Sequence, residues 1–413
     1  MHFIDDLGAW VAHQRWYAGK SHEPRFRILE AQPAPGATRY LLMDDAGSLP
    51  ALYQVPLALV DSATEPDAII RHDDDGFLID AARHPAFATG LLAEMGVDTS
   101  RVTGSRILTG EQSNTSIVFE EDGQPTIILK LFRTLHHGEN PDVTVQRALS
   151  DAGSPYVPRF IGNLDVEWPD IGRGSGVAHG TLGFAQEFLP GVRDGWAIAL
   201  EAAREGRDFT EAARDLGVAI AGVHGALGAA LETVEAEPAD VVAMGDAWER
   251  RLHIAASEVP AVAERLVAIE AVYSAALARP WPRLQRIHGD LHLGQVLAVP
   301  NGGWRIVDFE GEPLRPMEER AIPDLPLRDV AGMLRSFDYA GAVGAGPDAA
   351  GWAAECRSAF LKAYAASDGS VELDDLLLKA LVLDKAVYES IYEARNRPDW
   401  LPVPLAGIDA ALA

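Results

Sequence analysis

The stretch Ile287-His288-Gly289-Asp290-Leu291-His292-Leu293-Gly294-Gln295-Val296-Leu297, followed by Ile306-Val307-Asp308-Phe309-Glu310, decides the reading of this chain. One carboxylate, Asp290, stands shortly before an amide, Gln295, and a second carboxylate, Asp308, follows an apolar β-like run. Kinase-type phosphoryl transfer needs such a set: one group to accept the proton of the attacking hydroxyl, and two oxygen ligands to hold Mg²⁺ on the nucleotide phosphates. A His-Gly-Asp turn taken alone is also an N-cap or a loop hydrogen bond; order and spacing carry the argument. Asp290 is then the candidate base, Asp308 and Gln295 the candidate metal ligands, and Glu310 a candidate for a second metal or for substrate. His288 and His292 read as loop-fixing residues, because Mg²⁺ prefers oxygen and no Cys or further His completes a zinc set.

Upstream, Thr126-Ile127-Ile128-Leu129-Lys130-Leu131-Phe132 is an apolar strand with one cation, costly to bury unless paired. Lys130 there would reach the α- and β-phosphates, although an edge-strand lysine facing solvent fits the same pattern. Thr109-Gly110-Glu111-Gln112-Ser113-Asn114 precedes it by one strand pair, where a phosphate-covering loop belongs. With a single glycine it is also an ordinary hairpin turn, and Ser113 is its candidate phosphate ligand. Gly183-Phe184-Ala185-Gln186-Glu187-Phe188-Leu189-Pro190 ends a strand where a linker between lobes is expected. Gln186, Glu187 and Phe188 are assigned to adenine through backbone groups, by position. Asp194 either accepts from ribose hydroxyls or caps the following helix.

The pattern from His288 to Gln295 and on to Asp308-Phe309-Glu310-Gly311-Glu312-Pro313 resembles the catalytic core of the aminoglycoside-phosphotransferase-like kinases. Within them it is most similar to bacterial maltokinases and their glucosamine-kinase relatives, where Gln replaces the usual Asn at position 295. Arg15-Trp16-Tyr17-Ala18-Gly19-Lys20, Gly110–Ser116, Met333–Tyr339 and Tyr392–Pro398 resemble this branch too, so the likeness spans nearly the whole chain. It implies an ATP- and Mg²⁺-dependent kinase for a small sugar. Maltokinases place a Glu after Asn-Pro-Asp-Val to steady the strand lysine, whereas here Asn140-Pro141-Asp142-Val143 runs into Thr144. Glu139 and Asp142 are the remaining candidates for that partner.

The expected fold is α+β and protein-kinase-like. It has an N-terminal α/β cap (1–90), a β-rich nucleotide lobe with hinge (91–190) and a mainly α-helical catalytic and substrate lobe (191–413). Gln32-Pro33-Ala34-Pro35-Gly36 reads as punctuation within the cap, and Leu216, Ile220, Val223 and Leu227 as one buried helical stripe. At 413 residues, 48% of them hydrophobic, there is material for two or three packed lobes. A net charge of −26 argues against nucleic acid or an anionic membrane as partner. The lone Cys356, between Glu355 and Arg357, reads as a surface thiol in a reducing compartment. No leader or membrane span is evident, so a cytoplasmic monomer or homodimer is expected.

Towards the C-terminus Glu389, Glu393 and Arg397 share a helix face, which by default is a solvated salt-bridge face. The Trp400 that follows turns the reading towards sugar, since aromatic planes cover pyranose C–H faces. Glu393, Asn396 and Trp400 are therefore substrate candidates beside Asp290. The resemblance leaves glucosamine, giving glucosamine 6-phosphate, and maltose, giving maltose 1-phosphate. The carboxylates Asp290, Glu310, Glu312, Asp338 and Glu393 favour the amino sugar. A catalytically inactive kinase-like binding module is the alternative of another class.

Overall fold

The computed structural model describes residues 3–20, 23–47, 50–108, 113–170, 176–300, 302–312, 315–346 and 348–413. Residues 109–112 of the expected phosphate loop, and Pro313, lie outside the described residues. The chain divides into two compact units, Met1–Val143 with Pro158–Pro190, and Thr144–Val157 with Gly191–Ala413.

The first unit opens with α1 (Phe3–His13), followed by β1 (Phe26–Ala34), β2 (Ala37–Asp44), β3 (Ala51–Val60), β4 (Ile69–Asp73), β5 (Gly76–Asp80) and α2 (Pro85–Glu94). The strands pair antiparallel in the order β1-β2-β3-β5-β4. Leu7 and Val11 of α1, with Trp16 and Tyr17, pack on Leu42, Tyr53, Val55 and Leu57 of this sheet. The sequence reading of Gln32–Gly36 as punctuation is corrected here: β1 runs through Pro33 to Ala34, and only Pro35-Gly36 turns. β1 lies at the sheet edge, where a missing N–H is tolerated.

A second antiparallel sheet follows: β6 (Val102–Ile107), β7 (Asn114–Glu121), β8 (Gln124–Phe132), β10 (Phe160–Pro169) and β11 (Val177–Glu187), in the order β10-β11-β8-β7-β6. Asp122 and Gly123, at φ 50° and 78°, make the tight turn expected between β7 and β8. A short β9 (Thr134–Leu135) pairs with β3 and so joins the two sheets. Buried Arg133 reinforces the join, donating to both oxygens of Asp80 (3.2 and 2.5 Å) and to Thr115 Oγ1 (2.8 Å). Its guanidinium also stacks 5.0 Å from the Trp16 ring. A cation this buried is tolerable only because paired oxygens replace its water. α3 (Pro141–Asp151) starts in this unit and continues into the second.

The second unit holds β12 (Arg193–Asp194), α4 (Gly195–Glu205), α5 (Thr210–Ala230), α6 (Pro238–Glu258), α7 (Pro260–Ala263) and α8 (Leu266–Leu277). β13 (Val296–Ala298) and β14 (Trp304–Ile306) come next, then α9 (Met317–Arg320), α10 (Leu327–Gly344), α11 (Ala349–Ala366), α12 (Asp375–Asn396) and α13 (Pro402–Leu412). β12 joins the expected two-strand insert, making a sheet β12-β13-β14. The α5 stripe is buried as expected, Leu216, Ile220, Val223 and Leu227 all lying in the core. Cys356 is a correction. It is 1% exposed, facing inward from α11, and burial pushes its thiol pKa up to about 12. Among the described residues no helix is long and apolar enough to cross a membrane.

Candidate active site

In the second unit the loop from His288 to Gln295 is fixed from three sides. Gly289 turns the chain at φ 84°, a left-handed conformation that suits glycine. Asp329, in the first turn of α10 and 1% exposed, accepts the N–H groups of His288 (2.8 Å) and Gly289 (2.9 Å) and the ring N–H of His224 (3.1 Å). Burial alone would raise its pKa. The His224 hydrogen bond, together with the nearby His288, holds it below the usual carboxylate range. His288 Nε2 donates to the Val307 carbonyl (3.0 Å) and its Nδ1 accepts from Asp290 N–H (3.4 Å), tying the loop to the segment that carries Asp308. His292 Nδ1 accepts from Gly294 N–H at 3.0 Å. Both histidines thus fix the loop. α10 approaches so closely that a Cβ on Gly332 would lie 2.4 Å from the Leu291 carbonyl oxygen.

Asp290 emerges from this loop into a cavity lined also by Glu312, Arg328, Asp384, Lys385 and Tyr388. Lys385, from α12, donates to Asp290 Oδ1 at 3.1 Å. Burial pushes the Asp290 pKa up, but Lys385 and His292 more than offset it, so the group is held below its ordinary value. Neither Lys385 nor Asp329 was singled out from the sequence. The available signal was a charge interrupting an apolar helix face: Asp329 in Leu325–Leu334, Lys385 in Leu381–Val387.

Asp308 adopts φ 69°, an uncommon conformation for a residue with a side chain, of the strained kind that clusters at functional sites. Its Oδ2 accepts from the Gln295 amide nitrogen at 2.9 Å. A carboxylate and an amide within hydrogen-bonding reach suit a hard divalent cation. Turning the Gln295 amide over would present its oxygen instead. Glu310 follows two residues on and is half-buried.

The C-terminal candidates are held by other partners. Glu393 is 1% exposed, and its oxygens accept from Tyr339 (3.1 Å) and Arg397 (2.9 and 2.7 Å). The Asn396 amide donates to the Tyr392 carbonyl at 2.9 Å, and the Trp400 ring lies 4.3 Å from the Arg397 guanidinium. Asp338 accepts from Arg335 (2.8 Å) and Arg357 (2.6 Å). None of these four lines the cavity that holds Asp290; of the five carboxylates expected to crowd it, Asp290 and Glu312 do. The helix spacing was read correctly, but the face carrying Glu389 and Glu393 turns inward against α10 rather than towards solvent. Asp194 caps α4, its Oδ1 accepting from Ala197 N–H at 2.8 Å.

In the first unit Lys130 projects from β8 and donates to Asp142 Oδ2 at 2.9 Å, with the carboxylate side chain 2% and the lysine side chain 15% exposed. Of the two candidate partners for the lysine, the structure pairs it with Asp142. Asn140 fixes that acid in turn, its Oδ1 accepting the Asp142 N–H at 3.0 Å. Ser113 is exposed just before β7, its Oγ accepting from the Asn114 amide at 3.2 Å. Gln186 pairs with Ile128 in the sheet, while the N–H groups of Glu187 and Phe188 donate to the carbonyls of Arg159 (2.9 Å) and Thr126 (2.8 Å).

Residues 105–369 match the phosphotransferase enzyme family, and residues 10–88 match the maltokinase N-terminal cap domain. A glucosamine kinase of Streptacidiphilus jiangxiensis is 33% identical over 328 residues, 73% of this chain and 72% of that protein. A glucosamine kinase of Mycolicibacterium smegmatis is 28% identical over 332 residues, 75% of this chain and 80% of that protein. The solved structure of a glucosamine kinase in complex with glucosamine, ADP and inorganic phosphate is also similar. Its TM-score is 0.74 at 25% identity, covering 98% of this chain and 99% of that one. With its kinase-like α+β fold, the chain belongs to the phosphotransferase enzyme family.

Proposed function

We propose that the protein transfers the γ-phosphoryl group of ATP to a hydroxyl of glucosamine, giving glucosamine 6-phosphate and ADP, with Mg²⁺ as the metal. The observation that carries this reading is the Asp290–Lys385 pair at 3.1 Å facing a cavity, in a chain whose relatives are glucosamine kinases. Asp290 orients the acceptor hydroxyl. As oxygen bonds to the γ-phosphorus and the bond to the bridging oxygen of ADP breaks, Asp290 takes the hydroxyl proton. The transition state is loose, so positioning outweighs basicity, and a carboxylate kept ionised by Lys385 is adequate. Lys130, steadied by Asp142, meets the α- and β-phosphates; Ser113 and the 186–188 backbone meet the rest of the nucleotide. Asp308, Gln295 and Glu310 would hold the Mg²⁺, which neutralises phosphate charge when bound. The division into a cap (1–90), a nucleotide lobe (91–190) and a catalytic lobe (191–413) belongs to this reading, as does a cytoplasmic location, where ATP is held.

The maltokinase cap over residues 10–88 favours a second reading, transfer to the anomeric hydroxyl of maltose. Against an inactive binding module stands the Lys130–Asp142 pair, which supplies the acid that Thr144 does not. Coupled ADP release on glucosamine, N-acetylglucosamine, glucose and maltose tests the reading. Glucosamine is expected to exceed glucose by roughly ten- to a hundredfold in kcat/KM. Turnover of maltose with none of glucosamine would leave a maltokinase.

A further inference from the structure

The ion pairs around the Asp290 cavity leave one lining carboxylate over. Three cations line the cavity, and each is bonded to a carboxylate, Arg328 sharing its partner with Arg315. Lys385 donates to Asp290 (3.1 Å), Arg328 to Asp324 (3.0 Å) and Arg251 to Asp384 Oδ2. Glu312 lines the same cavity and its charge is felt by Arg251, Arg328, Lys385 and Arg320, yet among the described residues its carboxylate makes no direct hydrogen bond or ion pair. The other nearby cation, Arg320, donates to the backbone carbonyls of Arg315 (2.8 Å) and Glu310 (3.4 Å). A second observation points the same way. Asp384, 2% exposed and also lining the cavity, has a buried Oδ1 with no partner among the described residues. Buried acceptors are almost always satisfied, so acceptors left over beside a candidate base mark where a ligand brings donors. Neutral hydroxyls could donate here, but a charge-assisted hydrogen bond from an ammonium to a carboxylate with no direct partner is about twice as strong.

We propose that Glu312 is the specificity-determining residue, receiving the ammonium of an amino-sugar acceptor while Asp384 Oδ1 takes a second donor from the same ligand. The proposal rests on the glucosamine reading above and deepens it. It also accounts for selectivity without Glu393 or Asp338, whose carboxylates already pair with arginines.

The test is the ratio of kcat/KM for glucosamine over glucose, measured in the parent and in Glu312→Gln. The glutamine keeps the shape and removes the charge, so the ratio is expected to fall by about ten- to a hundredfold. Damage to the loop alone would lower both sugars together and leave the ratio intact. An unchanged ratio in folded Glu312→Gln, with the parent still preferring glucosamine, overturns the role of Glu312 and leaves the glucosamine reading standing. A parent that does not prefer glucosamine overturns both. If the glutamine variant does not fold, Glu312→Asp is read on the same ratio: a fall supports the proposal, an unchanged value removes it.

Discussion

Replacing Asp142 by Asn tests the step that the sequence left open, the acid that steadies Lys130. The pair spans 2.9 Å, with the carboxylate side chain 2% and the lysine side chain 15% exposed, so water compensates little when the charge is removed. A hydrogen bond to a charged group contributes about 1.5–3 kcal/mol. The asparagine oxygen can still accept from the ammonium, which places the expected loss near the lower end. At about 1.4 kcal/mol per tenfold, kcat/KM for ATP should fall roughly ten- to thirtyfold. Stability should fall as well. Removing one partner of a fully buried pair costs about 3–5 kcal/mol; Lys130 keeps some contact with water, so about 2 kcal/mol is expected here. Steady-state kinetics with ATP varied at saturating sugar, with a thermal melt alongside, provide the readout. A folded Asp142→Asn protein with the parental kcat/KM for ATP would refute the reasoning and return the search to Glu139.

Lys385→Met should move the acidic limb of the kcat/KM–pH profile to higher pH. The Asp290 pKa lies below its ordinary value because Lys385 and His292 outweigh burial; without the lysine the carboxylate binds its proton more readily and activity is lost earlier as pH falls. An unmoved limb would remove Lys385 from this role. Asp329→Asn should cost about 2–4 kcal/mol in chemical denaturation and lower kcat, since the amide nitrogen that replaces one oxygen cannot accept from the donors that oxygen now serves. Parental stability in that variant would show that the loop is held elsewhere.

Much of this was legible in the sequence because it is local. Asp290, Gln295 and Asp308 lie on one short loop and the strands beside it, and the Lys130 strand and the Asp122-Gly123 turn are fixed by alternation and turn chemistry. What was not legible depends on packing between distant segments. Lys385 meets Asp290 from 95 residues away and Asp329 reaches His288 from 41, pairings that no spacing rule announces. The same limit explains the C-terminal acids. Helical periodicity placed Glu389 and Glu393 on one face, but not that this face meets the buried Arg335 and Tyr339. Cys356 is buried although Glu355 and Arg357 flank it, because successive residues of a helix lie about 100° apart and do not share a face.

The central claim is phosphoryl transfer with Asp290 receiving the acceptor's proton. The most direct test compares ADP release on glucosamine by the parent and by Asp290→Asn, with ATP binding measured in both. The account expects turnover in the parent and a loss of at least about a hundredfold in kcat for the variant, with nucleotide binding largely kept. Near-parental turnover by folded Asp290→Asn would contradict it.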